Sequence, residues 1–214
     1  MTDSANGLIL VCFAVKEEAA PFLRALPCGV ETLITGMGAA AAERAFTARL
    51  NERPWQCVFT CGFAGGLNPA LRPETIVCDT DGNFPLRQAL LDAGAVPGSF
   101  CHHTRVLTTA VEKRQAREDS RADAVEMESE VIRRICHLRG IPSATVRVIS
   151  DAADEEMPLD FNPLMDADGK LNLGKLALAV LRRPQKIPAL LTLGRRTKSA
   201  AARLAAVLRA TLTG

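Results

Sequence analysis

Asp151 closes the apolar run ATVRVIS. A carboxyl group at the rim of a core is poorly solvated, which favours its neutral form and lets it donate a proton near neutral pH. An aspartate there also serves as a plain helix N-cap or loop residue, so its meaning depends on its company. Glu126 and Glu128 flank Met127. In an extended stretch the two glutamates point to one side and the methionine to the other. A helix beginning near Glu128 favours an ionised carboxylate at its N-terminus. Such a carboxylate only accepts hydrogen bonds and suits a pair of hydroxyls, although a solvated helix start reads the same way. Arg147 lies inside an otherwise apolar strand and needs a partner, with Glu128 and Glu18 available. A structural ion pair and a substrate contact are both open for it. Glu17 and Glu18 begin the first helix, where acidic residues also occur simply as first-turn charge.

The elements that must position these residues alternate. LILVCFAV (8–15) reads as a buried strand, and KEEAAPFLRAL as a short helix interrupted by Pro21. ETLITGMG (31–38) is a strand ending in glycines, followed by the helix AAAAERAFTARL. CVFTCGFAGGL (57–67), ETIVCDT (74–80) and RVLTTA (105–110) read as strands. ADAVEMESEVIRRICHL (122–138) begins extended and becomes helical, SATVRVISD (143–151) is a strand, and an irregular stretch over 152–172 precedes C-terminal helices. This alternation predicts a single α/β domain over 1–214, with a mixed, mostly parallel sheet flanked by helices; residues 170–214 form a basic helical extension of it. In open sheets of this kind ligands sit beyond the carboxyl ends of the strands, where TGMG, CGFAGG, VEMES and ISD stand. The glycines allow close backbone approach. Their spacing is not GxGxxG and no Walker sequence is present, so a dinucleotide or P-loop site is not indicated.

Composition narrows the class. The 214 residues are 48% hydrophobic and 23% charged, as in an ordinary globular protein. No apolar run is long enough for a membrane helix and no secretory signal is visible at the start. The seven cysteines have no framework spacing, and several lie in strand-like runs, which points to free thiols and a cytoplasmic location. His102, His103 and His137 form no ligand cluster with them, so neither a metal nor an organic cofactor is expected. The net charge of +2 speaks against a nucleic-acid surface, yet from Lys170 to Gly214 there are ten Lys or Arg and no Asp or Glu.

Taken together, FAVKEEA, TGMG, CGFAGGL, AVEMES and VRVISDAAD resemble the nucleoside phosphorylase superfamily, most nearly its methylthioadenosine/S-adenosylhomocysteine nucleosidase branch, in order over most of 8–163. The resemblance implies a purine nucleosidase that releases the base of an adenosine-type nucleoside. It implies that Asp151 protonates purine N7, that Ser150 orients Asp151, and that Glu128 binds ribose hydroxyls with Met127 packed on the sugar. It further implies that Glu18 activates water near Arg147, that Phe161 closes over the nucleoside, and that Ala64 and Gly65 line base and sugar. Glu126, Phe63 and Met37 complete the expected substrate-binding set. Family precedent implies a homo-oligomer.

Three departures stand out. Phe63 replaces the serine of the branch's GSAGG. Residues 80–110 look short, leaving TTAVEK (108–113) as the remnant of a base-binding loop. The C-terminal segment resembles instead the hopanoid-associated phosphorylase-like subgroup, which implies a lipid-linked 5′ substituent. Glu18 would repel phosphate and Phe63 has no side-chain donor for it, so hydrolysis is favoured, with phosphorolysis as the alternative and non-catalytic nucleoside binding as a third reading. In the tail, Leu193, Ala201, Leu204, Leu208 and Leu212 make an apolar stripe among arginines and lysines. It reads either as a peripheral contact with anionic lipid or as helices packed on the domain.

Overall fold

The computed structural model describes residues 7–166 and 172–213. Strands β1 (Leu8–Phe13), β2 (Val30–Ile34), β3 (Trp55–Gly66), β4 (Ile76–Thr80), β5 (Val96–Pro97), β6 (Phe100–His102), β7 (Ala124–Glu126) and β8 (Ser143–Asp151) make one sheet. Its main path runs β2-β1-β3-β8-β4-β5, with β7 bridging β3 and β6. The central strands β2, β1, β3 and β8 are parallel, β4 runs against β8, and β7 runs against the end of β3. The architecture is the mixed, mostly parallel α/β fold that the strand–helix alternation predicts.

Both faces of the sheet are covered, which is why its strands are apolar throughout rather than alternating. Along β1, Val11 and Phe13 point into one core with Phe59, Val146 and Val148, under helix α1 (Lys16–Leu23) and the long α7 (Ile187–Thr213). Leu10 and Cys12 point into the other, with Val58, under α2 (Ala39–Leu50) and α5 (Ser129–Leu138). Short α3 (Arg87–Asp92) lies near α7, α4 (Ala110–Ser120) follows β6, and α6 (Leu173–Arg182) precedes a 3-10 turn, Pro184–Lys186.

Two local expectations need correction. Helix α1 is not interrupted at Pro21 but continues to Leu23, because Ala19 and Phe22 are buried in the core and anchor its last turn. The Pro21 carbonyl accepts a hydrogen bond from Arg209 Nη1 of α7 at 2.9 Å. Residues 105–110 are not a strand. Glu112 accepts from the backbone N–H of Thr108 and Thr109, and Thr109 Oγ1 accepts from Glu112 N, so the segment is spent on starting α4.

The second half of the tail's apolar stripe packs on the domain. In α7, Ala201, Leu204 and Leu208 are fully buried and Leu212 packs beside them. Upstream, Leu178, Leu181, Ile187 and Leu191 are exposed. No described helix is long and apolar enough to cross a membrane.

Candidate active site

The carboxyl ends of β1, β3 and β8 lie side by side, and each delivers part of the site. β8 is buried along its whole length, which puts Arg147 at 1% exposure in the sheet. Its register partner on β3 is Gly62, and the missing side chain there is what makes room. A Cβ on Gly62 would fall 2.5 Å from Arg147 Nη1 and 2.7 Å from Glu18 Oε1, and φ of +151° already disfavours other residues. Gly62 thus sits where the guanidinium and the Glu18 carboxyl converge.

Arg147 Nη2 donates to Glu126 Oε2 at 2.6 Å, to Glu128 Oε2 at 3.3 Å and to Thr60 Oγ1 at 3.3 Å, while Nη1 donates to the Cys61 carbonyl at 3.3 Å. Glu126 Oε2 also accepts the N–H groups of Glu128 and Ser129, so it caps the start of α5. Burial works to raise its pKa, but Arg147 and these N–H donors prevail and hold it at about 2. Its role is positional: one oxygen is taken by three donors, and the other faces His102 Nδ1 at 3.8 Å, beyond hydrogen-bond reach. Glu128 Oε1 accepts from Gly38 N at 2.9 Å, which ties it to the TGMG loop and to half-buried Met37. Burial raises the Glu128 pKa against Arg147, and neighbouring Glu126 raises it further. Met127 is half-buried between the two glutamates.

Glu18 is buried, and its carboxyl accepts from Ala14 N, Val15 N and Phe63 N at 3.1, 3.2 and 2.9 Å. Burial dominates over Arg147 and these donors, pushing its pKa up to about 7. The backbone of Phe63 thus meets Glu18, and its half-buried ring packs against the core.

Asp151 stands at the end of β8, 3% exposed, against Gly65 and Gly66 of β3. Ser150 Oγ donates to its Oδ1 and contacts the Ala64 carbonyl at 3.2 Å. The fold gives Asp151 a partner that the sequence did not name: Oδ2 is bound by the ammonium of Lys113, which is fully buried on α4. Lys113 lies inside TTAVEK, a segment the sequence singled out without marking its lysine. Phe161 is half-buried at the start of the 3-10 turn Asn162–Leu164, apart from the hydrogen-bonded cluster.

A cavity of about 280 Å³ opens beside Asp151, lined among others by Glu156, Met157, Lys186, Leu193 and Arg196. Its outer wall comes from α7, so the C-terminal extension supplies a surface that the short middle region does not. Among the described residues no cluster of His, Cys, Asp or Glu is arranged to hold a metal ion.

A family model described as the phosphorylase superfamily matches residues 95–182. The chain is similar to a 5′-methylthioadenosine/S-adenosylhomocysteine nucleosidase of Pseudoalteromonas translucida, 25% identical over 188 residues, or 70% of this chain and 77% of that one. In fold it resembles the futalosine hydrolase of Helicobacter pylori, with TM-score 0.69, 16% identity and 97% of each chain covered. It equally resembles a 5′-methylthioadenosine/S-adenosylhomocysteine nucleosidase of Colwellia psychrerythraea in complex with adenine, with TM-score 0.69, 18% identity, and 97% of this chain and 95% of that one covered. The sheet order and these likenesses give the chain the fold of those nucleosidases, and residues 95–182 are similar to the phosphorylase superfamily.

Proposed function

We propose that this protein hydrolyses the N-ribosyl bond of a purine nucleoside of the 5′-substituted adenosine type, releasing the base. The observation that carries the reading is the burial of Glu18, Glu128 and Asp151 at the chain positions that follow or end β1, β7 and β8, with Arg147 bound to Glu128. Asp151 is placed to deliver a proton to the base, making it a better leaving group. Glu128 binds the ribose hydroxyls and stabilises the oxocarbenium-like sugar electrostatically. Glu18 then takes a proton from the attacking water. Water is favoured over phosphate because a buried carboxyl already occupies the nucleophile side and Arg147 is committed to Glu126 and Glu128.

The decisive assay offers adenosine, methylthioadenosine, adenosylhomocysteine and inosine with and without phosphate across pH. Free ribose or its 5′-substituted form should appear at a rate indifferent to phosphate. Because Glu18 must be ionised to accept a proton, and burial holds its proton up to about 7, the rate should fall as pH drops through that value. A strict requirement for phosphate or arsenate would establish phosphorolysis instead. Ligand binding without base release from any nucleoside would leave a non-catalytic binder.

The same reading includes a homo-oligomer and a lipid contact. Exposed Leu178, Leu181, Ile187 and Leu191 are interspersed with exposed Arg182, Arg183, Arg195 and Lys198, and the segment carries no acidic residue. That pattern suits an anionic lipid surface, the kind of source from which a lipid-linked nucleoside would be drawn. The patch suits a symmetric partner poorly, because a two-fold interface would set this basic surface against itself. Full-length protein should co-sediment with phosphatidylglycerol vesicles, more weakly in high salt and more weakly as the Leu181→Glu/Leu191→Glu variant. Equal sedimentation of the two proteins would remove the lipid contact. Truncation near residue 185 is a poor test, since it deletes Leu204 and Leu208 from the core.

A further inference from the structure

We propose that Lys113 is the proton store for base release, passing a proton through Asp151 to the purine; the proposal rests on the hydrolase reading above. The ammonium is fully buried and has three N–H bonds. Three acceptors meet them: Asp151 Oδ2, the Ala152 carbonyl at 2.7 Å and the Glu155 carbonyl at 2.8 Å. A neutral amine would turn its lone pair on one of these three acceptors, so the site is built for the charged form.

The other charged groups around it are committed elsewhere. Glu112 on the same helix pairs with Arg105, and Glu155 turns its side chain to Arg196 and to the Ala152 N–H. Asp151 from β8 is therefore the counter-charge in direct contact with Lys113 among the described residues. All three acceptors around Nζ are arranged for an ammonium, so the geometry places the pair's transferable proton on Lys113.

The step balances as follows. Lys113 Nζ gives a proton to Asp151 Oδ2, and the carboxylic acid so formed gives it to purine N7. The C1′–N9 bond breaks with its electron pair going to the base, which leaves neutral. Water forms the new C1′–O bond and loses a proton to Glu18. That proton returns through solvent to the Lys113 amine, restoring the resting pair. Ser150 holds Oδ1 throughout, which fixes the carboxyl plane during both transfers.

A merely structural lysine and a proton store differ in leaving-group dependence. In Lys113→Met, methylthioadenosine hydrolysis should fall by about 10²-fold or more, the scale of a lost general acid. Hydrolysis of p-nitrophenyl β-ribofuranoside, whose leaving group departs without protonation, should fall far less. Equal losses on both substrates would overturn the proposal. If Lys113→Met does not fold, Lys113→Arg serves: it keeps the charge but releases no proton in the working range, so wild-type turnover in that variant would also overturn it. A wild-type chain inactive on both substrates defeats the hydrolase reading itself, a result distinct from either of these.

Discussion

Asp151→Asn should reduce nucleoside hydrolysis by about 10²–10⁴-fold, a loss of ~3–5 kcal/mol of transition-state stabilisation. The substitution is nearly isosteric. The amide oxygen can still accept from Lys113, and the amide NH2 can donate to Ser150 Oγ, whose own hydrogen turns to the Ala64 carbonyl, so the end of β8 keeps its shape, but an amide has no acidic proton to pass to a nitrogen base. Binding of nucleoside, read by calorimetry, should therefore persist while turnover disappears. The variant also removes the counter-charge of a fully buried ammonium, and that carries its own cost. A lowered melting temperature should accompany the loss of rate, and turnover must be compared where both proteins are folded. Full activity in folded Asp151→Asn would falsify the role given to this residue and, with it, the chemistry assigned to the strand ends.

What could be read from the sequence follows from what short-range pattern encodes. The parallel strands and the helices between them are legible because burial on both sheet faces demands unbroken apolar runs, and LILVCF and ATVRVIS have them. The Glu126–Glu128 pairing is legible because period-two geometry sets the two side chains on one side, and both reach Arg147. The sequence named Glu128 and Glu18 as partners for Arg147, whereas the shortest of its contacts is to Glu126. The difference arises because the turn into α5 brings the Glu128 and Ser129 N–H groups onto Glu126 as well.

Long-range pairings left no such signal. Lys113 and Asp151 are joined across 38 positions, and nothing in TTAVEK marks its lysine as buried. A lysine on a short polar helix is ordinarily solvated, and only the docking of loop 152–155 over α4 encloses this one. Residues 105–110 misled for the opposite reason. Val, Leu and Thr favour strands in isolation, but the Thr109–Glu112 capping box and the hydrogen bond from Met157 N to the Thr108 carbonyl override that preference. The cavity wall contributed by α7 was equally invisible, since it depends on where a 27-residue helix lands.

Arg147→Met should destabilise the fold by about 3–5 kcal/mol, more than the loss of a side chain of that size would suggest. Methionine fills much of the volume of the aliphatic stem, so the deficit is electrostatic. Glu126 and Glu128 would remain buried at 4% and 6% exposure with backbone donors but no cation. The pH dependence identifies the cause by its sign. In the wild type Arg147 keeps the Glu126 pKa depressed to about 2, so the stability this group contributes is present above the ordinary carboxylate range and is lost as pH falls toward 2. Without Arg147, burial prevails and favours the protonated acids, so the variant should gain stability as the medium is acidified from neutral. Urea titrations at neutral and mildly acidic pH should therefore show the gap between the two proteins narrowing in acid. Adding Glu126→Gln to Arg147→Met removes one uncompensated charge and should recover part of the loss, a non-additivity expected of residues sharing one network. A small penalty that is the same at every pH would mean that the guanidinium is not what holds these carboxylates in the sheet, and the electrostatic account of the site would fall with it.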